Sequence, residues 1–112
     1  MDQLVFRTSV PGHEHCDHEK EPFKRPSDFK LAHLYNWDLV PANNQYMRKV
    51  LATADPNAVV LNVTYMTELR PDGHRGSKDC LHYILPGAPD WWSHSILSLT
   101  RKLKMFRNAL QK

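Results

Sequence analysis

The chain has 112 residues, 41% of them apolar and 10% aromatic, which is material for one small domain or part of a larger one and excludes a disordered chain. Fifteen Lys and Arg against twelve Asp and Glu give a net charge of +3, with basic residues concentrated after Thr100, so the body is near neutral and bulk charge gives no case for nucleic acid. No apolar run approaches the ~20 residues of a membrane span, and the N-terminus lacks the charged-then-apolar pattern of a signal peptide.

The first element is Leu4 to Val10, LVFRTSV, rich in β-branched and aromatic residues and closed by Pro11-Gly12, which predicts a strand running into a turn. From Gly12 to Asp28 the chain is polar, carries Pro22 and Pro26 and shows no period; residues 13–42 are expected to form an irregular surface loop region. Asn43 to Ala54 places Tyr46, Met47, Val50 and Leu51 at helical spacing, with Asn43 or Asn44 as N-cap. Asp55-Pro56-Asn57 stops that helix. Ala58 to Met66, AVVLNVTYM, is then an almost unbroken apolar and β-branched run of the kind buried in parallel sheets, and a helix feeding such a strand points to an α/β architecture. Thr67 to Leu81 reads as a loop. From Asp90, a good N-cap, Trp92, Ile96, Leu99, Leu103, Phe106 and Leu110 follow steps of four and three, a helical stripe expected to pack on the sheet rather than lie on a membrane. There is no internal repeat.

Several groups carry chemistry. Asp79 and His82 have the makings of an acid–base pair: a carboxylate that holds one imidazole nitrogen leaves the other to take a proton from a serine hydroxyl. The same spacing also recurs by chance in polar loops, so the pair does not decide the matter by itself. Arg70, Asp72 and His74, on the preceding loop, suit substrate binding or a brace through a buried ion pair. His13, His15, Cys16 and His18 offer imidazole and thiolate ligands, but no second cluster completes a tetrahedral zinc site, and no metal is assigned. Cys16 and Cys80 permit one disulfide, two free thiols or two metal ligands. Asn62-Val63-Thr64 is a glycosylation sequon that falls inside the expected buried strand, and Trp91 and Trp92 at a helix start suit the core better than a sugar platform.

RTSVPGHEHC, NVTYMTELRPDGH and DCLHYILPGAPDWW together closely resemble the C-terminal part of plant trichome-birefringence-like proteins and related PC-esterase domains of the SGNH/GDSL hydrolase superfamily. The resemblance is dense from Val59 to Leu97 and looser from Val5 to His13. Residues 14–42 match little, and the family's second cysteine, two residues after the histidine, is Ile84 here. The resemblance implies that residues 1–112 form the C-terminal portion of an SGNH-hydrolase-like three-layer α/β sandwich with a parallel sheet.

It also implies a role for the pair, with Asp79 as the orienting acid and His82 as the general base. The reaction would be acetyl transfer, from acetyl-CoA or an acetylated intermediate to a polysaccharide hydroxyl or to water, with no other cofactor. The family's nucleophile lies in a Gly-Asp-Ser motif near the start of the domain, and that motif is absent here. None of the six serines sits in such a context, and Gly76-Ser77 is too close to the pair in sequence to stand in for it. The expected partners are therefore a glycan acceptor and the N-terminal half of the domain, with no nucleic acid and no membrane contact required by this segment. The implied setting is the secretory pathway, in the Golgi lumen, as part of a longer membrane-anchored protein. Such an oxidising lumen favours a Cys16–Cys80 disulfide. Two rival readings remain: an inactive fragment or glycan-binding relic without the nucleophile, and a small metal-binding module built on His13, His15, Cys16 and His18.

Overall fold

The computed structural model describes residues 2–76 and 78–112. Strand β1 (Val5–Arg7) pairs in parallel with β2 (Val59–Leu61), Val5 opposite Val59 and Arg7 opposite Leu61. Helix α1 (Val40–Ala54) makes the connection between them, preceded by single 3-10 turns at Cys16–His18 and Pro26–Asp28 and a longer one at Leu34–Leu39. The arrangement is α/β. A short helix, α2 (Thr64–Glu68), follows β2; a 3-10 turn at Pro71–Gly73 then leads into the antiparallel pair β3 (His74–Gly76) and β4 (Asp79–Tyr83), and α3 (Ala88–Leu110) comes last.

Several boundaries differ from expectation, and each difference has a polar cause. Helix α1 begins at Val40, with Pro41 in its first turn where a missing N–H costs nothing, so neither Asn43 nor Asn44 is its cap. Asn44 is buried instead: its Nδ2 donates to the Ser9 carbonyl (3.0 Å) and its Oδ1 accepts the Ser9 N–H (2.8 Å), as a neighbouring peptide group would. The expected strand from Ala58 to Met66 stops at Leu61 because hydroxyls replace its ladder. The Val63 N–H donates to Thr8 Oγ1 (3.0 Å), Thr64 Oγ1 donates to Thr8 Oγ1 (2.8 Å), and the Thr67 hydroxyl donates back to the Val63 carbonyl (2.6 Å) inside α2. The sequon residue Asn62 accordingly lies just past the strand and is exposed, its Oδ1 accepting the Thr64 N–H at 3.2 Å.

The core is small and half polar. Thr8, His13, Asn44, Thr67 and His74 are buried beside Cys16, Trp37, Leu61, Val63 and Ala88, and each polar side chain has hydrogen-bond partners. Gly12 is required by close approach: a Cβ there would collide with the Cys80 carbonyl oxygen and the Trp37 ring. Helix α3 departs furthest from expectation. Gly87 caps it, with the Asp90 carboxylate reaching back to the Gly87 N–H (2.7 Å). Its first turns dock through Trp92, whose Nε1 donates to Thr67 Oγ1 (2.8 Å) and whose ring lies 4.8 Å from the Arg7 guanidinium. Ile96, Phe106 and Leu110 of the apolar stripe are exposed, so the stripe is not covered by the sheet. No helix among the described residues is long and apolar enough to cross a membrane.

Candidate active site

Asp79 and His82 lie on β4, not in a loop, and a regular strand would send residues three apart to opposite faces. The pairing of β3 with β4 is irregular: His74 faces Tyr83 and Gly76 faces Asp79, so three residues of β3 are spanned by five of β4. The excess bulges. Within that bulge Asp79 Oδ1 accepts the N–H groups of Leu81 (3.1 Å) and His82 (2.9 Å), which turns the chain and brings the imidazole back over the carboxylate. His82 Nδ1 then sits 3.0 Å from Asp79 Oδ2.

The electrostatics follow from those contacts. The His82 amide, then its ring and the Leu81 amide, hold the Asp79 carboxyl down at about 2, so it is a carboxylate whenever the protein is folded at ordinary pH. An acceptor at that position calls for a hydrogen on His82 Nδ1, which leaves Nε2 with its lone pair outward. The His82 side chain is 78% exposed, at the edge of a cleft of about 590 Å³ lined by Glu14, His15, Leu34, Tyr35, Trp37 and Lys78 together with residues 79–82.

The bulge is held from behind. Cys80 is joined to Cys16 with their Cα atoms 5.5 Å apart, and the Cys80 carbonyl accepts the His13 N–H at 3.0 Å. His13 is buried, its Nε2 within 2.7 Å of the Glu68 carbonyl and its Nδ1 within 2.8 Å of His74 Nε2, while His74 Nδ1 reaches the His82 carbonyl at 2.9 Å. The Tyr83 hydroxyl donates to the Pro11 carbonyl at 2.8 Å. Burial pushes the His13 pKa down to about 4 and that of His74 down as well.

The other residues singled out by sequence fall around this brace. Arg70 and Asp72 meet as a bidentate pair, Nε to Oδ1 at 2.8 Å and Nη2 to Oδ2 at 2.9 Å, and each is only partly exposed. Neither they nor His74 line the cleft beside His82. Of the four clustered metal-type residues, Cys16 is in the disulfide and His13 is turned inward to His74. His15 and His18 stay at the surface beside Glu14 and Asp17. Among the described residues no group of three such side chains converges on a point. Ser77 lies outside the described residues. His13 was legible only as a possible ligand, and Leu34, Tyr35 and Trp37 not at all, since the segment that carries them has neither period nor motif.

The sequence profile of PC-Esterase, a GDSL/SGNH-like acyl-esterase family found in Pmr5 and Cas1p, matches residues 2–99. The chain belongs to the PC-Esterase family. Among curated relatives it is similar to protein trichome birefringence-like 36 of Arabidopsis thaliana, at 27% identity over 87% of this chain and 29% of the relative. It is likewise similar to xyloglucan O-acetyltransferase 1 (27% identity, 92% of this chain, 29% of the relative) and to protein trichome birefringence-like 9 (32%, 90% and 29%), both of Arabidopsis thaliana. The chain thus spans less than a third of the length of these relatives. No solved structure gives a significant match. Both Asp79 and His82 fall inside the PC-Esterase match, which ends at residue 99, in the stretch where α3 runs clear of the body.

Proposed function

We propose that this chain supplies the acid–base half of a serine-type acyl-transfer site that acetylates polysaccharide, with Asp79 orienting His82 and His82 acting as general base. The observation that carries the reading is the Asp79–His82 contact at 3.0 Å, which engages Nδ1 and leaves Nε2 without a partner among the described residues, beside an open cleft. In this reading residues 1–112 are the C-terminal part of a PC-Esterase domain, and the nucleophilic serine comes from the part of the domain that precedes it. The serine oxygen attacks the acetyl carbonyl as its proton passes to His82 Nε2. That proton then leaves with the donor's departing group, and a sugar hydroxyl, activated in the same way, takes the acetyl group. Arg70, Asp72 and His74 act as the brace that holds β3 against β4. The names of relatives such as xyloglucan O-acetyltransferase 1 support a glycan acceptor and, with the disulfide, a setting in the secretory pathway.

The test is acetyl transfer to a xyloglucan oligosaccharide by the full-length protein. His82→Ala is expected to reduce turnover on the order of 10⁴-fold or more, with the fold intact. Near-parental turnover sinks the assignment. A second reading, a glycan-binding chain without turnover, is favoured by the absence of Gly-Asp-Ser from these 112 residues. It gains if the full-length protein has no serine whose replacement abolishes turnover.

A further inference from the structure

We propose that Leu34, Tyr35 and Trp37 form a stacking subsite beside His82 that binds a pyranose ring of a neutral oligosaccharide. The inference rests on the glycan-acceptor reading for its catalytic meaning, but it is a claim about binding and stands on its own observations.

The Tyr35 side chain is 75% exposed, which for a tyrosine forfeits most of the burial it has to offer, yet its ring is not loose. It lies 5.4 Å from the Trp37 ring at an interplanar angle of 52°, and Trp37 is 5% exposed and fixed against Gly12. The backbone bears a cost to present it. Tyr35 (φ 52°, ψ 26°) and Asn36 (φ 60°, ψ 28°) both occupy the left-handed region, which asparagine enters readily but which is unfavourable by about 1 kcal/mol or more for a tyrosine. Two contacts hold that conformation, the Asn36 N–H on the His33 carbonyl (3.3 Å) and the His33 ring on Asp38 (2.9 Å). An aromatic ring held outward on strained backbone is a feature to be explained by what it meets.

The cleft says what that is. Its volume of about 590 Å³ lies within the usual range for small-ligand sites, and it contains Asp79 and His82. Its apolar surface comes from Leu34, Tyr35, Trp37 and Leu81, its polar groups from Glu14, His15, Lys78 and Asp79. A pyranose has the same division: axial C–H groups on its faces, hydroxyls around its edge. Charges of both signs in the cleft disfavour a polyanion, and the polar groups disfavour a purely apolar ligand. A sugar lying on Tyr35 sits in the same cleft as His82 Nε2, where its hydroxyl is needed.

The experiment titrates the chain with cellotetraose and with a xyloglucan oligosaccharide, with no acetyl donor present, and follows binding by NMR. Expected are shifts of the Tyr35 ring signals, a loss of affinity on the order of tenfold in Tyr35→Ala, and near-parental affinity in Tyr35→Phe, which keeps the ring face. Tyr46→Ala, an exposed tyrosine on α1, is the control expected to change nothing. The proposal is overturned if neither oligosaccharide binds at about 10 mM, if Tyr35→Ala binds like the parent, or if Tyr35→Phe loses as much as Tyr35→Ala. Because no donor or nucleophile takes part, failure of the acetyl-transfer reading leaves this result intact. Failure of stacking likewise leaves the Asp79–His82 chemistry intact.

Discussion

Asp79 is held by two backbone amides before it meets the imidazole, so the carboxylate orients the ring from a fixed position. Asp79→Asn keeps the size but loses the charge and can present an N–H to His82 Nδ1, favouring the wrong tautomer. In the full-length protein we expect a loss of kcat on the order of 10⁴-fold, which an unchanged kcat would contradict. His13 and His74 set the acid limit of the fold. Their folded pKa values lie below the unfolded value of about 6.5, so between about pH 6.5 and 4 the unfolded chain binds more protons and acid destabilises the native state. For His13 alone the loss over that window is about 3 kcal/mol, measurable as a falling urea midpoint; His13→Gln should flatten the profile. At this scale the spacing of Asp79 and His82 was readable, because one bulge contains both. His13 was not, because its partners Glu68 and His74 are 55 and 61 residues away.

The elements were readable in kind more than in extent. Apolar periodicity locates α1, β2 and α3, but their ends are decided by side chains that substitute for backbone partners. Thr8 is the clearest case. Its hydroxyl oxygen accepts the buried Val63 N–H, which turns a long apolar run into a three-residue strand followed by a helix. Thr8→Val preserves shape and removes that acceptor, leaving a buried donor unpaired. We expect a destabilisation of about 1–3 kcal/mol by chemical denaturation, and a change below about 0.5 kcal/mol would show that this contact does not hold the turn. The β3–β4 pair escaped a sequence reading altogether: His, Arg, Gly and Asp make up five of its eight residues, types that pattern as loop, and its register is held by the Cys80 disulfide, the His13 N–H and the His74 ring.

As a whole the molecule is longer than its residue count requires, 54 × 28 × 23 Å with a radius of gyration of 16.3 Å, where a compact chain of this size has about 13 Å. The excess is the far part of α3, whose exposed Met105, Phe106 and Leu110 bury little. Limited trypsin digestion should therefore cut at Arg101, Lys102, Lys104 and Arg107 before it cuts in residues 1–90; the reverse order would mean that the stripe is covered. The disulfide closes 64 residues of chain, which in the loop-entropy account contributes about 4 kcal/mol. Reduction should therefore lower the thermal midpoint sharply, and an unchanged midpoint would show that the other contacts suffice. The α/β class was readable from a helix leading into a β-branched run. The size of the sheet was not, since a buried-type strand does not reveal how many neighbours it has.

The contacts that link Glu68, His13, His74 and His82 end on a carbonyl at each side, and carbonyls only accept. Three contacts in series therefore call for three ring hydrogens, while two neutral imidazoles carry two. With both rings neutral the series is one hydrogen short: it grips the carbonyl of Glu68 or that of His82, or grips both and turns two bare nitrogens toward each other across 2.8 Å. One added proton completes it. A second would set N–H against N–H, and with both rings neutral the backbone beneath His82 is tethered or released according to where two hydrogens rest among four nitrogens.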